Sequence, residues 1–204
     1  MAELHERPGS EELLDAVTPA SEGSGPLLQR DYWAVIRDCT LRPSELAARV
    51  AREFERFPPE ELVRFERASP PGRALQVGDE LHIEIRMAGA CDVRVVHADA
   101  CSLTLATLEG HPEAGRITFG AYRSDAGDVV FHIRSRARSS NAAKYLGFLM
   151  MGEAMQTNTW VDFVNAVANQ CGGGVAGEIT TCTEEIEDEP DEAATLPTYL
   201  ARAD

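Results

Sequence analysis

The sequence predicts an α+β fold in which a curved antiparallel sheet of about six or seven strands wraps around one long C-terminal helix. From about residue 63 to residue 138, apolar positions such as Leu81, Ile83 and Ile85 alternate with polar ones, as in strands with one buried face. Residues 140–170 instead repeat apolar side chains every three or four positions, which indicates a helix. Because so many strands cannot leave an apolar face exposed, the sheet must curl around that helix.

Each element can be placed from its own residues. A first strand is expected near 29–39, where Tyr32 and Trp33 favour extended backbone. Ser44 is the expected N-cap of a following helix, which ends before Pro58. A short helical turn at 60–62 comes next. The remaining strands are expected at 63–67, 81–87, 91–98, 102–108, 115–123 and 128–138.

The net charge of −15 resides almost entirely at the two ends of the chain. Residues 1–28 hold six acidic side chains and one arginine, and residues 178–204 hold nine acidic side chains and one arginine. Segments of this composition bury too little apolar surface to fold. The prediction is an acidic disordered tail over 1–28, a folded ligand-binding domain over 29–170, and a Gly-rich hinge with a second acidic disordered tail over 171–204, both tails being dispensable for folding.

Composition argues against several classes of function. An excess of acidic side chains disfavours nucleic acid as a partner. No apolar stretch approaches the roughly 20 residues of a membrane helix, and the five cysteines form no C-x-x-C pair. We therefore expect a cytoplasmic protein with reduced thiols, no metal and no cofactor, acting as a monomer or homodimer.

Packing a curved sheet against a helix leaves a gap that flexible side chains such as methionine fill only in part, so we expect a ligand cavity there. Odd-numbered strand residues should face this cavity, together with one stripe of the helix. The residues expected to line it are Ile83, Ile85, His97, Leu105, Thr107, Phe119, Phe131, Ser135, Tyr145, Met151, Met155 and Gln156.

The stretch from Thr107 to Gly115, followed by Ile117 and Phe119, resembles the signature GTLPGHPExGEExF of the family known as domain of unknown function nineteen-ninety. The resemblance extends over roughly residues 30–168. That family is similar to the helix-grip superfamily of START and birch-pollen-allergen-like proteins, many of which bind lipids, sterols or polyketides and a minority of which are cyclases or aromatases. The resemblance implies a helix-grip (START-like) fold, and it adds Arg138 to the candidate ligand-binding residues.

Three functions remain open from the sequence. The leading hypothesis is non-catalytic binding of a hydrophobic small molecule, such as a lipid, a sterol or a polyketide-like compound. A cyclase or dehydratase would need an acid/base in the cavity, and the candidates are His97, or His111 with Glu113. The third hypothesis is a scaffold whose acidic tails recruit a protein partner. His82 and His132 fall on outward positions, which disfavours a metal site.

Overall fold

The computed structural model describes residues 4–8, 16–70, 72–86, 89–187 and 195–199. Side chains are described throughout these ranges except in 4–8, 142–156 and 195–199.

An eight-stranded antiparallel sheet forms most of the molecule. The described strands are β1 Leu4–Pro8, β2 Ser24–Val35, β3 Val63–Arg67, β4 Glu80–Ile85, β5 Gly89–Ala98, β6 Ser102–Thr107, β7 Glu113–Arg123, β8 Val129–Ser139, β9 Thr180–Ile186 and β10 Thr195–Tyr199. The strand order of the large sheet is β3-β4-β5-β6-β7-β8-β2-β9, so consecutive strands from β3 to β8 are neighbours and β2 lies beside β8. A separate two-stranded sheet pairs β1 with β10.

Two α-helices lie among the described residues. Helix α1 spans Pro43–Arg52, and its N-cap is Arg42 rather than the expected Ser44, because Pro43 suits the first helical position. Helix α2 spans Ala142–Cys171 and is the long C-terminal helix that the sequence predicts. Single 3₁₀ turns lie at Ala20–Glu22 and Phe54–Arg56. Within the described part of the chain, no helix is both long enough and apolar enough to cross a membrane.

The core lies between the concave face of the sheet and the C-terminal half of α2. Phe163 of α2 is wholly buried, and its ring centroid lies 5.2 Å from that of Phe119 on β7 and 5.3 Å from that of Phe54. Phe131 of β8 stacks on the same ring with an interplanar angle of 12°. This aromatic cluster fixes the helix against the sheet, so the predicted α+β arrangement of a sheet around a helix is confirmed.

The sheet extends beyond the boundaries expected at residues 29 and 170. Strand β2 begins at Ser24, and β9 pairs with it from Leu27 opposite Ile186 to Trp33 opposite Thr180. The composition of this segment did not predict β9, because nearly all of its side chains are exposed. An edge strand can form its backbone hydrogen bonds on one side without burying apolar side chains. Within the two predicted disordered tails, Leu4–Pro8 and Thr195–Tyr199 also pair as strands, whereas residues 1–3, 9–15, 188–194 and 200–204 lie outside the described residues.

A β-bulge interrupts the alternation in β5. Val95 pairs with Leu105, but His97 pairs with Thr104, so Val96 is the extra residue. Val95 belongs to the main core, whereas Val96 packs with Ala106 and Val17 on the opposite face. Beyond the bulge, odd-numbered residues of β5 therefore face outward.

Candidate functional site

A cavity of about 160 Å³ lies between the concave face of the sheet and α2. Strands β3 to β8 supply most of its wall, and one turn of the helix closes it. The residues that line it are Val63, Phe65, Ile83, Ile85, Val93, Leu105, Thr107, His111, Pro112, Glu113, Arg116, Ile117, Ser135, Ala137, Thr159 and Trp160.

Most of the sheet side of the cavity is apolar. Leu105 and Ile117 face each other across β6 and β7, and Ile83 and Phe65 do so across β4 and β3. Their register places all four on the concave face, as the alternation predicts for odd positions. A cavity with such a wall favours an apolar occupant.

The loop between β6 and β7 forms one polar section of the wall. Gly110 has a φ of +92°, and the His111 amide donates to the Leu108 carbonyl at 3.1 Å, which closes a turn. The His111 Nδ1 lies 3.0 Å from both the backbone nitrogen and the backbone oxygen of Glu113, so the ring is held against its own loop. Such contacts give this histidine a structural role whichever nitrogen carries the proton.

A buried ion pair stands beside that loop. The Arg30 Nη1 lies 3.3 Å from the Glu113 Oε1, and only 2% of the Arg30 side chain and 12% of the Glu113 side chain are exposed. Glu113 lines the cavity, whereas Arg30 reaches it from β2, on the far side of β8. The carboxylate at the cavity wall is thus matched by a buried cation.

The Thr107 hydroxyl forms hydrogen bonds with backbone atoms. Its Oγ1 accepts a hydrogen bond from the Gly115 amide at 2.9 Å and lies 3.0 Å from the Thr18 carbonyl oxygen. The hydroxyl therefore ties the start of β7 and the N-terminal segment to β6.

Ser135 and Trp160 are two further residues of the cavity wall that carry a polar atom. The Ser135 Oγ and the Trp160 Nε1 are both buried, and neither has a hydrogen-bond partner among the described residues. Ser135 is 3% exposed and stands on β8, while Trp160 lies on α2 on the helix side of the cavity. Buried polar atoms normally have partners, so these two atoms mark where a polar group of an occupant would be stabilised. Trp160 is not among the ligand-binding residues that the sequence predicted.

Comparison with protein-family models identifies the family of this chain. The family model described as Domain of unknown function (DUF1990) matches residues 45–166, which is more than half of the chain. The chain belongs to the DUF1990 family. The sequence-based identification is thus confirmed, and the signature loop of the family is the loop that forms the polar section of the cavity wall.

Solved structures resemble this DUF1990 chain in fold. A hypothetical protein from Helicobacter pylori is 8% identical with a TM-score of 0.50, covering 69% of this chain and 86% of that one. The Zhui aromatase/cyclase from Streptomyces is 17% identical with a TM-score of 0.49, covering 71% and 93%. A major latex-like protein from Panax ginseng is 12% identical with a TM-score of 0.43, covering 72% and 99%. Comparison with curated sequences gives no match.

Other residues that the sequence analysis singled out lie elsewhere. His97 does not face the cavity, because the bulge at Val96 turns it outward, and its Nε2 lies 3.1 Å from the Asp99 Oδ2. Arg138 also faces outward, where its guanidinium donates to the Gly25 carbonyl. Phe119 and Phe131 lie in the aromatic core rather than in the cavity wall. The side chains of Tyr145, Met151, Met155 and Gln156 lie outside the described residues.

The convex face carries a polar cluster that the sequence did not predict. The His132 Nε2 lies 2.6 Å from the Asp31 Oδ1, which also accepts from the Arg134 Nε at 2.7 Å. The Tyr122 hydroxyl approaches the other nitrogen of His132 at 3.3 Å. Burial lowers the pKa of His132 even though the Asp31 carboxylate opposes that change. Through its contact with Asp31, this histidine ties β8 to β2.

Proposed function

We propose that this DUF1990 protein binds a hydrophobic small molecule in the cavity between its sheet and α2, without transforming it. The observation that carries the proposal is the coincidence of an apolar wall with two unpartnered buried polar atoms. An apolar wall stabilises the body of a ligand by removing it from water. The Ser135 hydroxyl and the Trp160 indole N–H then fix its orientation.

The surroundings of the cavity support the same proposal. Phe54, Phe119 and Phe163 are packed ring against ring nearby, so the core is filled where the aromatic cluster lies and the cavity lies beside it. Close packing is the rule in protein interiors, and an empty space is destabilising unless something occupies it. A bound apolar molecule would offset that loss.

An acid/base enzyme on the same scaffold is a second candidate, because His111 and Glu113 line the cavity. Their contacts weigh against it, since the histidine ring is held by its own loop and the carboxylate by Arg30. Replacement by His111→Gln would separate the two functions. An enzyme would lose turnover while keeping its ligand, whereas a binding protein would show no turnover to lose.

Cytoplasmic location, the oligomeric state and a partner for the acidic tails stay predictions.

Native purification followed by mass spectrometry of retained small molecules tests the proposal. Ala137→Phe would place a ring in the cavity, because Ala137 is part of its wall and is 5% exposed. Ala90→Phe makes the same change at an exposed position of β5 and is the matched control. We expect an apolar compound to accompany the wild type and Ala90→Phe but not Ala137→Phe. Equal retention by the two variants would contradict the proposal.

A further inference from the structure

We infer that the ligand is a small molecule of one or two rings that carries an oxygen acceptor, such as a cyclic ketone or a phenol. This inference rests on the proposed function and narrows it to one chemical class. Three features carry it: the size of the cavity, the unpartnered Ser135 Oγ and Trp160 Nε1, and the balanced charge of Glu113.

Size sets the upper limit of the ligand. The cavity measures about 160 Å³, and a cavity of roughly 150 Å³ in another protein core holds one benzene molecule. A ligand of roughly six to ten non-hydrogen atoms is therefore the scale that fits. A sterol with four fused rings, or a long acyl chain, exceeds this volume.

Polarity sets the functional group. The Trp160 Nε1 can only donate a hydrogen bond, so its partner must be an acceptor. The Ser135 hydroxyl can donate as well, and both residues line the same small cavity. A carbonyl or hydroxyl oxygen would meet the requirement of the indole and could also bond the serine. A pure hydrocarbon would leave both buried atoms without partners, which is unfavourable.

Charge indicates that the group is not a cation. Glu113 is paired with Arg30, so the carboxylate in the wall is already balanced. Arg116, which also lines the cavity, brings further buried N–H donors. A cationic ligand would lose its hydration without gaining a counter-charge, which an oxygen acceptor avoids.

Isothermal titration calorimetry of the full chain with 1-indanone and indane tests the functional group. The two probes share a carbon skeleton and differ in one carbonyl oxygen. Trp160→Phe keeps an aromatic ring but removes the N–H, and Trp33→Phe makes the same change on the convex face, where Trp33 packs against His132. We expect Trp160→Phe to weaken 1-indanone about tenfold, as the loss of one hydrogen bond predicts, with less than a twofold effect on indane. Trp33→Phe should change neither affinity.

If Trp160→Phe fails to fold, Ser135→Ala tests the same requirement through the second polar atom, and it should weaken 1-indanone more than indane.

Palmitate and cholesterol test the size limit, and we expect each to bind at least tenfold more weakly than 1-indanone. Tighter binding of either lipid would overturn the size limit, and equal losses for 1-indanone and indane would overturn the acceptor requirement. Failure of all four probes to bind would instead contradict the proposed function, and the inference with it.

Discussion

Arg30 and Glu113 form a buried ion pair of 3.3 Å that reaches across β8, since Arg30 lies on β2 and Glu113 on β7. The pair fixes the family's signature loop to a strand that is distant in sequence. It also places a carboxylate in the wall of the cavity without leaving its charge unbalanced. The loop is therefore anchored by a buried ion pair.

Removing one partner of this pair should be strongly destabilising. Glu113→Ala would leave the Arg30 guanidinium buried without its counter-charge, at a cost of about 3–5 kcal/mol in the free energy of unfolding. Urea denaturation measures this cost. The double variant Arg30→Met with Glu113→Leu, which replaces both charges by apolar side chains, should recover most of the loss. A cost below about 1 kcal/mol for Glu113→Ala would show that the pair is not buried in solution.

Gly115 is required by close backbone contact. Its φ is +147°, and an added Cβ would clash with the Arg136 carbonyl oxygen and lie 2.8 Å from the Ala137 Cα. Gly127 also has a positive φ, of +88°, but nothing lies within 4 Å of an added Cβ. Gly115→Ala should therefore destabilise the protein by at least about 2 kcal/mol more than Gly127→Ala, which pays only the backbone penalty of about 1–2 kcal/mol. Equal effects in thermal unfolding would show that the two strands do not approach so closely.

Phe163 is the centre of the core and should be the most costly ring to remove from α2. It is fully buried among the rings of Phe54, Phe57 and Phe119. Phe163→Ala should reduce the free energy of unfolding by about 3–5 kcal/mol. Val77→Ala, at a side chain that is 43% exposed, should change it by less than about 0.5 kcal/mol. A similar small effect from both would mean that α2 does not pack on the sheet as described.

Asp99 should make stability depend on acid pH. Burial alone would raise its pKa, but hydrogen bonds from His97, the Cys101 amide and Ser102 lower it from 3.8 to about 2. Because the folded pKa is below the unfolded one, the stabilisation is fully present above about pH 4 and is lost as the pH falls through 2. The free-energy gap between wild type and Asp99→Asn should therefore shrink by about 2 kcal/mol from pH 5 to pH 2. A gap that stays constant would contradict this assignment.

Periodicity in the sequence was enough to predict the order of elements and much of the apolar wall. Ile83, Ile85 and Leu105 lie where alternation places them, because a strand with one buried face shows its orientation in every second residue. Helix α2 was equally clear, since its apolar stripe runs for many turns. That these wall residues contact a ligand stays a prediction.

Two features that the alternation of apolar residues did not predict have physical explanations. One inserted residue at Val96 reverses every later position of β5, so His97 turned out to face outward. The adjacent pair Val95 and Val96 was the only sign of this, because two consecutive buried apolar residues break the period of two. The Arg30 and Glu113 pair left no local pattern, since a contact between residues 83 positions apart depends on how the sheet curves.

The most direct test of the central claim is an NMR measurement of intermolecular NOEs between 1-indanone and methyl-labelled protein. Ile83, Leu105 and Ile117 line the cavity, whereas Val96 packs on the opposite face of the same sheet. We expect NOEs from the ligand to the first three residues and none to Val96, and we expect Ala137→Phe to abolish them. NOEs to Val96, or NOEs to the cavity residues that survive Ala137→Phe, would contradict it.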